Sequence, residues 1–389
     1  MDRLDMDLPR PADFDDVRPR RRAQITGRRV GVLALLLLGG AFLGLATEFW
    51  PKDGLNKLVQ PVRAALFQDE VDELRSEIQR SLRSRQPKQA LQLAKRLIEI
   101  DPEAGYVERA RVYAVLRDYD QAVADLEQAL ERNPLNAGAL YMRAAVHIQR
   151  GDLPSALADA SRLVELEPRE GLLLRARIHR QQKDYEKAAA DLTEAIEADP
   201  AYQAAYEYRY QVYLDMNEFE KALADADRIA EIAPSRGLVF KGDVYAKQKN
   251  YDASIDAYTK AIEADPENAT AYNNRGYHRS LARRDLDKAA EDAATAIALA
   301  GEEPAYVDTR GYIAYLRGNF KAALRDFDAA IEGVEEEGID PEFAAEIYFH
   351  RALVYRKLGE DNLAEKDFAK AKELGFEWTE LPEPLGKEL

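Results

Sequence analysis

The chain has 389 residues, a formal net charge of -16 and a pI near 5.0. An acidic body argues against a nucleic-acid partner, because binding to phosphates needs a basic surface. The absence of cysteine excludes disulfides, thiolate metal sites and a cysteine nucleophile. A chain of this length could form two or three compact domains or one array of repeats, and the presence of internal repeats distinguishes the two.

An apolar run, VGVLALLLLGGAFLGLAT at 30–47, contains 18 residues without a charge. As a helix it would be roughly 27 Å long, close to the hydrocarbon thickness of a bilayer. We therefore predict a transmembrane signal-anchor helix at 30–50, with Phe49 and Trp50 at the far interface. Arginines are enriched before the run, so the positive-inside rule predicts a cytoplasmic tail at 1–29 and an outer, periplasmic or extracytoplasmic, location for the rest.

The same segment permits other interpretations. Small residues up to Ala46 would suit a signal peptidase, which would make the protein secreted after cleavage. Gly40 and Gly44 have the spacing found where transmembrane helices pair, which raises a homodimer as a hypothesis. Residues 51–70, with two prolines and a glycine, are predicted to be a juxtamembrane linker.

One sequence motif recurs from about residue 71. It reads DYDQAVADLEQALERNP at 118, DYEKAAADLTEAIEADP at 184 and NYDASIDAYTKAIEADP at 250. A period in the low thirties is typical of a solenoid. In each unit this motif follows an earlier stretch whose apolar residues recur at helical spacing, which predicts an antiparallel helix hairpin. Small residues open the second helices, at Ala90, Ala122, Ala156, Ala188, Ala222, Ser254, Ala289, Ala323 and Ala364.

This pattern resembles the tetratricopeptide repeat family. The best unit runs from Ser235 to Pro266, with the family's characteristic places held by Leu238, Gly242, Tyr245, Tyr251, Tyr258, Ala261 and Pro266. The resemblance covers about nine units at 71–376, of which the first is degenerate, and leaves a C-terminal tail at 377–389. It implies an all-α, right-handed superhelical solenoid of antiparallel helix hairpins. An acidic insert at 333–340 is expected to separate the last unit from the others.

The joints between units alternate in length. After Pro102, Pro168 and Pro234 the next helix is expected to start two residues early, each time with a glycine, in PEAG, PREG and PSRG. The alternation indicates a double unit of 66 residues that is copied in tandem.

In every complete first helix a basic residue stands where a buried apolar side chain is expected, directly before the place of the small residue, which Tyr210 takes in one unit. Its counterpart at the same height on the second helix is an aspartate. Lys241 is the exception, and its unit also has Ala257 in place of the aspartate. Because a guanidinium suits a bidentate carboxylate better than an ammonium does, we predict structural ion pairs and not a ligand-binding row. The predicted pairs are Arg109 with Asp125, Arg143 with Asp159, Arg175 with Asp191, Arg209 with Asp225, Arg275 with Asp292, Arg310 with Asp326, and Arg351 with Asp367.

The resemblance implies binding on the inner, groove side of the first helices. The candidate groove residues are Arg111, Tyr141, Arg177, Arg180, Gln211, Asp243, Asn273, Asn274, Tyr277, Asp308, Tyr312, Tyr315 and Phe349. Aromatic rings mixed with amides and charges favour a protein or peptide segment as partner. The alternative for each of these residues is that it only belongs to a solvated or packed helix face.

The sequence shows no catalytic constellation, no phosphate loop and no dinucleotide fingerprint, so we expect no enzyme, no cofactor and no metal. His147 and His179 occupy equivalent places where the pattern has tyrosine, which favours packed side chains over metal ligands. The leading hypothesis is a membrane-anchored scaffold for protein–protein interaction or complex assembly. The alternative is an envelope assembly or export factor that handles polysaccharide or lipid.

Overall fold

The computed structural model describes residues 67–337 and 341–376. These residues form helices joined by short turns, and the prediction of an all-α array of helix hairpins is confirmed. The chain divides after Asp199 into two compact units. The first is described at 67–199, and the second at 200–337 and 341–376.

The first unit consists of four hairpins of antiparallel helices, each helix packed on the next in the chain. Its helices are α1 (Gln68–Arg83), α2 (Pro87–Ile100), α3 (Pro102–Val115), α4 (Tyr119–Arg132), α5 (Ala137–Gln149), α6 (Leu153–Leu166), α7 (Pro168–Gln181) and α8 (Tyr185–Ala198).

The second unit has five hairpins in its described residues. Its helices are α9 (Gln203–Asp215), α10 (Phe219–Ile232), α11 (Pro234–Lys247), α12 (Tyr251–Ala264), α13 (Ala269–Leu281), α14 (Leu286–Ala300), α15 (Pro304–Leu316), α16 (Phe320–Glu337), α17 (Pro341–Leu358) and α18 (Asp361–Glu373).

Small residues set the distance between the two helices of a hairpin. All nine that open the second helices are 0% exposed. The turn inside each hairpin uses a left-handed residue, such as Gly151 at φ 77° or Asn217 at φ 55°. Glycine accepts this conformation without strain, whereas the arginines and lysines at the equivalent turns, such as Arg117 and Lys183, adopt it at a cost.

Three joints between hairpins consist of a single residue. Asp101, Glu167 and Ala233 each connect one helix to a proline that is the first residue of the next helix. Proline suits that position because an N–H in the first helical turn has no partner within the helix, so its absence from proline costs no hydrogen bond. These prolines therefore begin the helices that follow each joint.

The glycines that follow these joints allow two backbones to touch. A Cβ on Gly105, Gly171 or Gly237 would lie 2.4, 2.4 or 2.3 Å from a backbone nitrogen of the preceding helix. No real Cβ approaches that closely, so glycine is required wherever the joint is short. The alternating joints of the sequence thus have a packing reason.

The acidic insert is helical where it is described. Helix α16 continues to Glu337, Val334 is 4% exposed, and a Cβ on Gly333 would lie 2.9 Å from Pro304 Cγ. The prediction that residues 333–340 form a separating insert is therefore wrong for 333–337, because Val334 supplies an apolar contact that extends the helix. Residues 338–340 lie outside the described part.

The predicted anchor at 30–50, with Gly40, Gly44 and Ala46, lies outside the described residues, as do the tails at 1–29 and 377–389 and nearly all of the linker. Among the helices of 67–337 and 341–376, none has the length and apolar content that a membrane crossing needs.

Candidate functional site

Seven arginine–aspartate pairs connect the two helices of their hairpins. In each pair Nε of the arginine donates to one carboxylate oxygen at 2.7 to 3.0 Å, and Nη2 donates to the other at 2.6 to 2.9 Å. The aspartate side chains are 3 to 15% exposed. The structure thus brings together all seven predicted pairs, which are Arg109–Asp125, Arg143–Asp159, Arg175–Asp191, Arg209–Asp225, Arg275–Asp292, Arg310–Asp326 and Arg351–Asp367.

Lys241 has a different partner. Its Nζ pairs with Asp227 on the preceding helix α10, whereas Ala257 is buried at 5% exposure. A flexible ammonium reaches a carboxylate elsewhere, so this hairpin is held without the bidentate contact.

Aromatic rings cover most of the paired guanidiniums. Arg109 lies over the rings of Tyr106 and Tyr113, with 5.4 and 6.0 Å between Cζ and the ring centroids. Arg209 and Arg351 each lie over two tyrosines in the same way. A cation against a ring face is attracted by the ring's quadrupole, so the ring adds to the ion pair. Arg109, Arg209 and Arg351 are therefore held on both sides, by a carboxylate and by aromatic rings.

In the first unit, the inner row is built around a buried carboxylate. Glu108 is 5% exposed and accepts a hydrogen bond of 3.1 Å from Arg111 Nε. Arg75 Nε lies 3.9 Å from its other oxygen. The charge of Arg111 is therefore largely balanced within the row. The other candidates of this unit, Tyr141, Arg177 and Arg180, are half-buried on α5 and α7.

In the second unit, three helices meet at Asp243. Its Oδ1 accepts from the Tyr258 hydroxyl at 2.6 Å and from Asn274 Nδ2 at 3.2 Å. Burial raises the pKa of Asp243 to about 6, although both donors favour the charged form. Gln211 lies half-buried on α9 of the same unit. This arrangement holds one carboxylate oxygen firmly and leaves Oδ2 without a hydrogen bond from any described residue.

Five groove candidates are buried, so the prediction that they line an open groove is wrong. They are covered by the next hairpin or by neighbouring rings. Tyr312 stacks on the His350 ring with 4.8 Å between centroids, and Phe349 packs against Phe368 and Phe376. The five exposures are Asn273 8%, Asp308 4%, Tyr312 1%, Tyr315 5% and Phe349 0%.

A polar cluster links three first helices beneath the same row. The Tyr277 hydroxyl on α13 donates to Glu346 Oε1 on α17 at 3.0 Å. His350 Nδ1, also on α17, donates to Asp308 Oδ1 on α15 at 2.9 Å. Burial raises the pKa of Glu346, and burial raises the pKa of Tyr277 well above its ordinary value. Tyr277 is therefore held by its hydroxyl and is not an adaptable contact.

Sequence reasoning missed Glu108, Tyr258, Glu346 and His350. Glu108 and His350 directly precede the paired arginines Arg109 and Arg351, and Glu346 lies five residues before Arg351. An ionisable side chain on the groove side of a first helix was therefore the signal that the sequence offered. Tyr258 occupies a position where the family has an aromatic ring in the core, and the sequence does not show that its hydroxyl reaches Asp243.

His147 and His179 are buried at 9 and 7% exposure. Among the described residues no cluster of three or more histidines and carboxylates has metal-binding geometry.

Hairpins of this kind, with paired helices and a mixed polar inner row, define a helical repeat scaffold. Models of the tetratricopeptide repeat match residues 107–170, 169–202 and 345–374, and a TPR repeat model matches 242–280. The chain is 33% identical over 128 residues to human tetratricopeptide repeat protein 36, covering 31% of this chain and 67% of that protein. The chain belongs to the tetratricopeptide repeat family.

A second relative is the human mitochondrial import receptor subunit TOM70, which is 23% identical over 233 residues. The match covers 59% of this chain and 34% of the receptor, so this chain spans about a third of the length of that relative. A tetratricopeptide repeat protein from Parabacteroides merdae has a similar solved structure, with 22% identity and a TM-score of 0.49 over 65% of this chain and 98% of that one.

Proposed function

We propose that this protein is a non-enzymatic docking scaffold that holds a protein segment on the inner row of its second unit. The observation that carries the proposal is Asp243, whose carboxylate is fixed by Tyr258 and Asn274 while Oδ2 is left to accept an N–H donor. An oriented acceptor loses little entropy on binding, so it suits a backbone amide or a basic side chain of a peptide. The name of the human relative, an import receptor subunit, agrees with a docking role.

The polysaccharide or lipid alternative has less support. Aromatic rings in the groove would suit such a ligand, but Tyr312, Tyr315 and Phe349 are at most 5% exposed. A sugar ring needs an accessible aromatic face for stacking. For the same reason Tyr312→Ala is a test of folding and not of binding.

Site-specific photocrosslinking in intact membranes tests the docking site. A photoreactive residue at Gln211 lies on the inner row, and one at exposed Glu263 on α12 is the matched control. We expect a defined protein partner to crosslink from position 211 but not from 263, and the yield to fall when Asp243→Ala is added. Equal crosslinking from both positions, or a yield that Asp243→Ala leaves unchanged, would refute the site.

We further propose that the apolar run at 30–47 anchors the chain, with 1–29 in the cytoplasm and the repeats on the outer side. The support is the length of the run and the arginines before it. Fractionation of the full chain tests this. We expect it to resist carbonate extraction, and the repeats to be digested by protease added to the outer side. An amino terminus found at Thr47 would instead show cleavage and secretion.

A further inference from the structure

The ion pair of Arg310 and Asp326 is more exposed to solvent than the other six pairs. The Arg310 side chain is 35% exposed, compared with 13 to 24% for the other paired arginines. The Asp326 side chain, at 15%, is also the most exposed of its set. This hairpin therefore lacks a cover that the others have.

The missing cover is an aromatic ring. In the hairpins of Arg109, Arg209 and Arg351, a tyrosine stands three residues before the arginine and another four residues after it, and both rings lie against the guanidinium. Around Arg310 these places hold Val307 and Ala314. In the seven other complete hairpins the later place has a larger side chain, namely Tyr113, His147, His179, Tyr213, Tyr245, Arg279 and Tyr355.

An open cavity of about 790 Å³ lies at this place, with Arg310 and Ala314 in its wall. Its volume is in the range of small-ligand sites, and its apolar lining consists of Ile313 and of alanines from α14, α15 and α16. Arg310 and Ala314 are four residues apart and so share one face of α15. Tyr312 and Tyr315 lie on a different face, which separates this pocket from the inner row.

One cation at the rim of the pocket is available to an anion. Its lining contains Arg310, Arg317 and Arg325 against one carboxylate, Asp326. The edge of the Arg310 guanidinium is occupied by Asp326 and by exposed Glu302, and Arg317 pairs with exposed Asp287 at 2.7 Å. Arg325 is exposed and has no carboxylate partner among the described residues.

We propose that this pocket binds an aromatic side chain of a partner protein, next to an acidic residue. The incoming ring takes the place of the tyrosine missing at 314 and stacks on the face of Arg310, while the neighbouring carboxylate pairs with Arg325. A ring face attracts a guanidinium whose edge is already hydrogen-bonded, so the ion pair with Asp326 is kept. The acidic neighbour is inferred from Arg325, the one arginine of the lining without a carboxylate partner among the described residues.

Selection from a random peptide library displayed on phage tests the proposal, with the purified full chain in detergent as bait. The Ala314→Tyr variant is used for counter-selection, which removes peptides that bind outside the pocket, because its new ring should fill the pocket. It should fold, since other hairpins carry a tyrosine at this position. Ala329→Lys closes the pocket from α16, and Lys260 and Lys370 show that a lysine is accepted at the equivalent place. Thermal melting of both variants confirms that they are folded.

We expect enriched peptides that contain Trp, Tyr or Phe beside Asp or Glu and that bind neither closed variant. Replacing the aromatic residue of such a peptide by alanine should weaken binding about fivefold to thirtyfold. Arg325→Ala should weaken it about threefold to tenfold, while Arg228→Ala on α10 should not change it. The proposal is overturned if no peptide distinguishes the open from the closed pocket, or if the selected peptides lack the aromatic or the acidic residue.

Discussion

Arg275 donates to Asp292 through Nε at 3.0 Å and through Nη2 at 2.7 Å, and Arg279 donates to the same carboxylate. Asp292 is 4% exposed, so it needs a cationic partner to remain charged. Two arginines on one carboxylate mean that loss of Arg275 does not leave Asp292 alone. In this respect the pair differs from Arg209 and Asp225, where Arg209 donates both of the side-chain hydrogen bonds that the carboxylate accepts.

This difference predicts unequal costs for two matched substitutions. Arg209→Leu should lower the free energy of unfolding by about 3 to 5 kcal/mol, because it leaves a buried charge without its partner. Arg275→Leu should cost less, since Arg279 remains. Adding Asp225→Leu to Arg209→Leu should recover much of the loss. Denaturant unfolding of the full chain, with amide hydrogen exchange on α10, measures both effects, and additive single and double mutants would contradict the ion-pair interpretation.

The pairs were predictable because they vary together within one chain. Lys241 and Ala257 depart from the pattern in the same hairpin, and equal distances from the turn place the two helix positions at one height. The partner of Lys241 was not predictable. Asp227 lies on another helix, and the reach of a flexible lysine depends on how that helix packs.

The inner row shows where sequence reasoning stops. Helical spacing assigned Tyr312 and Phe349 to the groove side, but it cannot show how closely successive hairpins approach. The His350 ring covers Tyr312, and Phe368 and Phe376 cover Phe349. The glycines of PEAG, PREG and PSRG were noticed as a pattern, whereas their reason, contact between backbones, needs coordinates.

These glycines give a second prediction. Gly171→Ala places a Cβ 2.4 Å from Val164 N and forces α6 and α7 apart. We expect a loss of about 1 to 3 kcal/mol in the free energy of unfolding. Gly138→Ala on α5 is the control, because its Cβ would meet only a side-chain oxygen of Asn136 at 3.4 Å. That change should be neutral or should stabilise by up to about 1 kcal/mol through helix propensity. Equal melting temperatures for the two variants would show that the close approach is absent.

A third prediction concerns Asp243, whose pKa burial raises from 3.8 to about 6. The folded state then holds a proton that the unfolded state has lost, so stability falls as pH rises from about 4 to about 6. Asp243→Asn keeps an acceptor for Tyr258 and Asn274 but does not titrate. At pH 7 the variant should be more stable than the parent chain by about 1 to 2 kcal/mol, and below pH 4 the two should be nearly equal.

Thermal unfolding at a series of pH values measures this difference, with Glu263→Gln as an exposed control on α12. The control should shift the melting temperature little at every pH. A stabilising effect of Asp243→Asn that is the same at pH 4 and pH 7 would mean that charge burial is not its cause.

A fourth prediction is an order of titration among histidines. Burial lowers the pKa of His350, but the carboxylates of Asp308 and Glu346 more than offset this, so its pKa is raised above 6.5. Burial lowers the pKa of His147 and of His278. NMR of the full chain labelled at histidine nitrogen should therefore show His350 protonated at pH values where the other two are neutral.

The same shift fixes the sign of a stability effect. A raised histidine pKa contributes stability that is fully present below pH 6.5 and is lost as pH rises through the folded-state pKa. His350→Gln keeps a donor for Asp308 but carries no charge. The advantage of the parent chain over this variant should therefore be larger at pH 5.5 than at pH 9. Because Glu346 faces His350 and its own pKa is raised by burial, the comparison is repeated in a Glu346→Gln background. An advantage that does not change with pH in that background would show that His350 stays neutral beside Asp308.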